Sequence, residues 1–102
     1  MIRHIVMWKF ANEAMGKRKE ENMETVRSRL FALRDIVPEI RGMEIGKDIL
    51  HSEMSYDMAL YMTFDSMEAL EAYKVHPEHK KISAFVKAVR IGRACVDFEI
   101  EA

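Results

Sequence analysis

Hydrophobic side chains occupy alternate positions over residues 2–10 and predict a β-strand. Its β-branched and aromatic residues favour the same conformation. One face of this strand carries Ile2, His4, Val6, Trp8 and Phe10. The other carries Ile5 and Met7 between Arg3 and Lys9, so both faces are hydrophobic and we expect the strand to be buried on both sides.

An amphipathic helix is predicted after this strand. Asn12 is the expected N-cap, and Glu13 would place a carboxylate in the first turn, near the positive end of the helix dipole. Pro38 disfavours helical geometry at Val37 and ends the helix. Hydrophobic residues at steps of three and four predict its buried stripe: Met23, Val26, Leu30, Leu33 and Val37.

Two further strands are predicted in the middle of the chain. The first begins at Gly42, and in it Met43, Ile45 and Ile49 share one face. Residues 51–55 are polar and form the predicted connecting loop. The alternation over 56–65 predicts the next strand, which starts with Tyr56.

A second helical region and a last strand complete the pattern. Ser66 is the expected N-cap of a helix that stops before Pro77 and buries Met67, Leu70 and Tyr73. The helical spacing then continues to Gly92, where we expect the region to end; its hydrophobic positions are Ile82, Phe85, Val86 and Val89. Residues 94–100 alternate as a last strand.

The order β-α-β-β-α-β predicts one α+β domain over residues 1–102 with a ferredoxin-like antiparallel sheet and its helices on one face. Such a sheet leaves its other face open, and Ile5 and Met7 lie on that face. A large exposed hydrophobic face is unusual for a monomer. We therefore predict a homodimer in which the sheet faces of two copies pack together.

Charge and composition exclude several classes of partner. The net charge is −1, with 16 basic and 17 acidic residues, so no broad positive field favours nucleic acid or an anionic membrane. Cys95 is the single cysteine, which excludes an internal disulfide and suits a reducing compartment. The first strand has neither the cleavage site of a signal peptide nor the length of a membrane span. We expect a cytoplasmic protein.

The candidate chemistry is concentrated in residues 73–79, which hold a phenol and two imidazoles around a proline. His79 or His76 could serve as a general base near neutral pH, and Tyr73 could donate a hydrogen bond to a carbonyl oxygen that gains negative charge. The alternative is structural: the histidines cap a helix and Tyr73 packs in the core. His4 shares a strand face with Val6 and Trp8, so it would join the same cavity if that face meets the helices.

No cofactor is predicted. The four glycines are scattered and form no phosphate-binding loop. His76 and His79 are the only closely spaced imidazoles, and a metal site would need a third ligand from Glu78 or His4, so we predict no metal.

The sequence resembles the stress-responsive α/β barrel (Dabb) family along its whole length. Residues 2–10 are similar to the family's first strand, Gly46-Lys47-Asp48 to the end of its second strand, and Val96-Asp97-Phe98 to its closing strand. Residues 73–79 resemble its Tyr-x-x-His-Pro-x-His signature. This resemblance implies a dimeric α+β barrel with a cavity between each sheet and its helices.

The enzymatic members of this family include polyketide cyclases. By this resemblance His79 would be the catalytic base, and Tyr73 would position or polarise the substrate. The predicted cavity-lining residues are His4, Val6, Trp8 and His76. The same signature occurs in members without known chemistry, so a structural role for His76 is also expected.

Three functions remain open at this point. The first is a dimer whose cavity binds a small, largely apolar molecule without chemistry. The second is a cofactor-independent cyclase-like or enolising enzyme that uses a His base and a Tyr. The third is a monooxygenase-like activity that needs neither metal nor flavin.

Overall fold

A computed structural model describes residues 1–101 and confirms the α+β ferredoxin-like fold. Four strands form an antiparallel sheet in the order β4-β5-β1-β6, and the helices cover one face of it. The elements are β1 (Ile2–Phe10), β2 (Glu13–Ala14), β3 (Lys17–Arg18), α1 (Lys19–Ala32), a 3₁₀ turn (Leu33–Asp35), β4 (Gly42–Lys47), β5 (Met58–Phe64), α2 (Met67–Val75), α3 (Pro77–Val89) and β6 (Arg90–Glu99). None of the helices in this described part is long and apolar enough to cross a membrane.

The core lies between the sheet and the helices, and β1 is central to it. Its Val6 and Trp8 side chains are buried on the helix side, and Phe10 ends the same row. The five predicted side chains from Met23 to Val37 are all buried, but α1 ends at Ala32, so Leu33 lies in the 3₁₀ turn and Val37 beyond it. Burial of these side chains removes hydrophobic surface from water, which is the main favourable contribution to folding.

The predicted start of the first helix was wrong. Asn12 does not cap α1, because residues 13–18 form a short hairpin whose turn residues, Met15 and Gly16, both have positive φ. The buried side chain of Asn22 holds this hairpin by donating to the carbonyls of Ala14 and Lys17, at 3.0 and 3.4 Å. These hydrogen bonds from Asn22 stabilise the hairpin, and α1 therefore begins at Lys19 instead of directly after Asn12.

Three other local predictions also need correction. Ile49 lies beyond the end of β4 and is 92% exposed, so it does not share the face of Met43 and Ile45. Met67 is in the first turn of α2 and about half exposed rather than buried. Gly92 lies inside β6, since α3 already ends at Val89.

The predicted boundary at Pro77 is confirmed. Ser66 caps α2 by accepting a hydrogen bond from the backbone N–H of Ala69 at 3.2 Å. α2 ends at Val75, and α3 begins with Pro77 in its first turn, where the missing N–H costs no hydrogen bond. This break places Tyr73 and His79 on either side of one bend, and both side chains are directed at the same part of the sheet.

The face of the sheet opposite the helices carries an exposed hydrophobic patch. β1 pairs with β6 so that Ile5 lies beside Val96 and Arg3 beside Phe98. Val96 and Phe98 are 52% and 43% exposed in the single chain, and Met7 is 36% exposed. We call Ile5, Met7, Val96 and Phe98 the outer patch.

Candidate functional site

A cavity of about 270 Å³ lies between the inner face of the sheet and the helices. Its deep wall is apolar and includes Val6, Trp8 and Leu60 from β1 and β5. His4, Tyr73 and His79 bring polar atoms to the same space. A concave site that combines apolar walls with convergent polar groups has the composition of a small-molecule site.

His79 lies in the first turn of α3, directly after the break between α2 and α3. Its Nδ1 is 3.1 Å from the backbone carbonyl oxygen of Lys74 near the end of α2. A carbonyl oxygen only accepts, so Nδ1 carries the hydrogen and the neutral ring has its lone pair on Nε2. Burial lowers the pKa of His79 below its usual value, an effect that the Lys74 hydrogen bond partly opposes. The ring is therefore neutral, and able to act as a base, at pH 7.

Tyr73 projects from the inner face of α2 and packs between the two imidazoles. Its ring centroid is 4.3 Å from that of His79 and 6.2 Å from that of His4. Burial raises the pKa of Tyr73, which keeps its hydroxyl protonated as a hydrogen-bond donor. Within residues 1–101 this hydroxyl forms no hydrogen bond to the protein. It is not among the fully buried unpaired polar atoms of that part of the chain, of which the one example is Asn22 Oδ1. Tyr73 is almost fully buried and lines the cavity, so a molecule inside the cavity would lie against it.

His4 forms a side-chain hydrogen bond with Asp97 across the β1–β6 pairing. The two residues are register partners, and Nδ1 of His4 bonds to the Asp97 carboxylate. Burial lowers the pKa of His4, and the opposing effect of Asp97 only partly offsets it. Because the carboxylate accepts the Nδ1 hydrogen, the Nε2 atom of neutral His4 also carries a lone pair.

Asp97 was not predicted to be a site residue. Asp97 is 93 positions from His4 in sequence, and only the register of β6 against β1 joins them. The available signal was alternation: Asp97 faces the side opposite Val96 and Phe98, which is the side of His4. That signal becomes specific only once the strand pairing is known.

The prediction that His76 lines the cavity was wrong. Its Nδ1 accepts a hydrogen bond from the backbone N–H of Glu78 at 3.1 Å, so the ring caps the N-terminus of α3. His76 is not part of the cavity lining. It has the structural role, capping of a helix, that was the alternative prediction for the histidines of this segment. Across residues 1–101, no three His, Cys, Asp or Glu side chains are grouped closely enough to hold a metal ion.

The lowered pKa values of His4 and His79 predict that the folded state loses stability in mild acid. Near pH 6.5 the unfolded chain takes up protons on these rings, whereas the folded chain does so only at lower pH. The free energy of unfolding should therefore fall as the pH drops from about 6.5 to the lower folded-state pKa values. Urea unfolding at pH 7.5 and pH 5 measures this loss.

The double substitution His4→Gln and His79→Gln should reduce the loss of stability between these two pH values. His51→Gln is the matched control, because His51 lies in the exposed loop after β4 and should leave the loss unchanged. Equal stability of the unmodified protein at pH 7.5 and pH 5 would contradict the assignment.

This chain is similar to known proteins in sequence as well as in fold. The family model for the stress responsive A/B barrel domain (Dabb) matches residues 2–100. Olivetolic acid cyclase from Cannabis sativa is 30% identical over 80 residues, which are 76% of this chain and 75% of that protein.

Solved structures agree with the fold over nearly the whole chain. A dimeric protein of unknown function with a ferredoxin-like fold from Bacteroides fragilis is 29% identical, with a TM-score of 0.83 over 97% of this chain and 95% of that one. A dimeric ferredoxin-like protein from Thermobifida fusca is 25% identical, with a TM-score of 0.83 over 97% and 90% of the two chains. The family model, the cyclase and these structures agree, and the chain belongs to the stress responsive A/B barrel (Dabb) family.

Proposed function

We propose that this protein is a cofactor-independent enzyme that binds a small, largely apolar carbonyl compound in the cavity and enolises it. The observation that supports this proposal is the pairing of a proton acceptor and a hydrogen-bond donor beside each other. His79 uses Nδ1 for Lys74, which leaves Nε2 as a proton acceptor, and the Tyr73 ring lies 4.3 Å from the imidazole in the lining of the same cavity, where its hydroxyl can donate. A carbonyl oxygen and the proton on the neighbouring carbon would satisfy both.

The proposed reaction begins with proton removal. Nε2 of His79 takes the proton from the carbon next to the carbonyl. The electron pair of that C–H bond forms the C=C bond of the enolate, and the π electrons of the carbonyl move to its oxygen. The Tyr73 hydroxyl donates a hydrogen bond to this oxygen as its negative charge grows. In a compound with a second carbonyl, the enolate carbon would attack that group, and the protonated His79 would return its proton to the new alkoxide oxygen.

His4 and Asp97 provide a second, oriented imidazole at the same cavity. The Asp97 carboxylate fixes Nδ1 of His4 as the donor, so that Nε2 is the atom left for a ligand. A carboxylate that holds a histidine in one tautomer is a recurring arrangement in acid–base catalysis. We assign His4 to proton transfer or to binding of a second oxygen of the same compound.

The cavity size limits the substrate. At about 270 Å³ the cavity is slightly smaller than the usual range of about 300–1,000 Å³ for ligand pockets, and the bulky Trp8 is part of its lining. A compact ring or a short acyl chain fits such a volume better than a long chain.

We infer that a second copy of this chain covers the outer patch. Its four hydrophobic side chains are contiguous across β1 and β6, and an exposed apolar sheet face is best explained as an interface. The dimeric state of the solved relatives supports a homodimer. The inner-face cavity of each copy then stays open to ligand.

The substitution Tyr73→Phe tests the proposed chemistry. Hydrogen–deuterium exchange at the carbon next to the carbonyl of 2-octanone, followed by NMR in deuterated buffer, reports enolisation directly. Loss of the single hydroxyl should lower the catalysed rate by about 10- to 100-fold while ketone binding changes little, because the hydrogen bond strengthens as the enolate forms.

Two other results would assign the alternative functions. Binding of the ketone without exchange above the buffer rate would make the protein a carrier or sensor rather than an enzyme. Oxygen consumption that depends on the bound compound would favour the monooxygenase-like activity.

A further inference from the structure

Three cationic side chains line the mouth of the cavity. Lys87 comes from the end of α3, and Arg90 and Arg93 come from the start of β6. Lys87 and Arg93 are exposed and Arg90 is half-buried, whereas the deep wall at Val6 and Leu60 is almost fully buried. The charged groups therefore lie where the cavity meets solvent.

These three cations have no acidic partners within residues 1–101. The ion pairs of that part of the chain involve other basic residues. Lys74 on α2 and Lys81 on α3, for example, are each paired with a glutamate. No residue that lines the cavity is acidic, and the nearby Asp97 carboxylate is bonded to His4. On a chain of net charge −1, this is a local excess of positive charge.

The charge at the mouth also acts on the interior of the cavity. Burial is the main cause of the lowered pKa of His79, and the positive charge of Arg93 lowers it further. Arg93 has the same effect on His4. Unpaired cations around a concave, low-dielectric site focus a field that attracts anions.

We propose that the ligand of this cavity is an anion, with a carboxylate or phosphate bound by Lys87, Arg90 and Arg93 at the mouth and a carbonyl group deeper, beside Tyr73 and His79. The guanidinium groups of Arg90 and Arg93 present paired donors that match either anion. This inference rests on the proposed function, because it names the class of compound that the same cavity would enolise.

A matched pair of ligands tests the inference. In 2-oxooctanoate a carboxylate replaces the methyl group that is bonded to the carbonyl carbon of 2-octanone. The carbonyl group and the six-carbon chain are the same in both compounds. Trp8 is the only tryptophan in the chain and lines the cavity, so its fluorescence reports binding of either compound. The acid should bind about tenfold more tightly or better, since hydrogen bonds between charged groups are stronger than those between neutral groups.

The variant Arg93→Gln should remove most of that preference. It should weaken 2-oxooctanoate by about five- to tenfold and leave 2-octanone unchanged. Lys80→Gln is the matched control, because it removes one positive charge from an exposed position of α3 that does not line the cavity. Octanoate and octyl phosphate, as competitors, determine which anion the mouth prefers.

The outcomes separate this inference from the proposed function. If the protein enolises 2-octanone but binds both ketones equally, or if Arg93→Gln weakens both equally, the anion site is wrong and the proposed function stands. If 2-oxooctanoate binds tightly through Arg93 but no deuterium exchange follows, the anion site stands and the proposed function fails. If neither ketone changes the Trp8 fluorescence, the inference is overturned.

Discussion

Replacing His79 with alanine is expected to lower enolisation of a bound ketone by about 10²–10³-fold, the contribution of a positioned general base. The physical reason is the Nδ1 hydrogen bond to the Lys74 carbonyl, which leaves Nε2 as the proton acceptor. Deuterium exchange at the carbon next to the carbonyl, measured at saturating ketone, gives the rate of this step. Binding should change much less than the rate, because the imidazole acts on a proton that moves only in the reaction.

The pH profile of this rate should identify the same group. A base works in its neutral form, and burial lowers the pKa of His79, so the rate should be level at pH 7 and fall in acid with a midpoint below 6.5. His51→Ala is the matched control, since its side chain is 79% exposed and lies outside the cavity. If His79→Ala retains the full rate while His51→Ala does the same, the catalytic assignment fails.

The substitution Val96→Glu is expected to convert the protein from a dimer to a monomer. Val96 lies in the centre of the outer patch and is 52% exposed in the single chain, so a glutamate there costs little within one copy. In a symmetric interface each substitution occurs twice, and burying unpaired carboxylates costs several kcal/mol. The dimer should weaken by roughly a hundredfold or more. Sedimentation velocity at micromolar concentration measures the change.

Val75→Glu is the control for the dimer experiment. Val75 has a similar exposure, 59%, but lies at the end of α2 on the other side of the sheet. This variant should remain a dimer. A stable monomer formed by the unmodified protein, or a dimer that survives Val96→Glu, would refute the interface.

Local rules predicted most of the fold, and they were wrong where a distant contact decides the structure. Ser66 and Pro77 fix the ends of α2 and the start of α3 through their own hydrogen-bonding and ring geometry, which is readable from neighbouring residues. The hairpin before α1 was not predicted, because the buried amide of Asn22 stabilises it from a later turn.

The candidate site shows the same division. Tyr73 and His79 were identified from a seven-residue segment, because imidazole and phenol groups are chemically distinctive. His76 could not be separated from them by residue type, and only its hydrogen bond to the Glu78 amide shows that it caps a helix. Asp97, Arg90 and Arg93 were missed because they reach the cavity through the pairing of β6 with β1, and Lys87 was missed because only the packing of α3 against the sheet places it there.

By itself the sequence determined the order of the four sheet strands and the helical regions, the two hydrophobic faces of β1 and the residue types that can carry acid–base chemistry. These properties depend on the period of side chains along a helix or strand and on the intrinsic pKa of each group. The tertiary structure alone decided which nitrogen of His79 is free, which carboxylate holds His4 and which charges surround the cavity. Those properties depend on contacts that exist only in the folded chain: the break between α2 and α3 brings His79 to the Lys74 carbonyl, and the register of β6 against β1 brings Asp97 to His4.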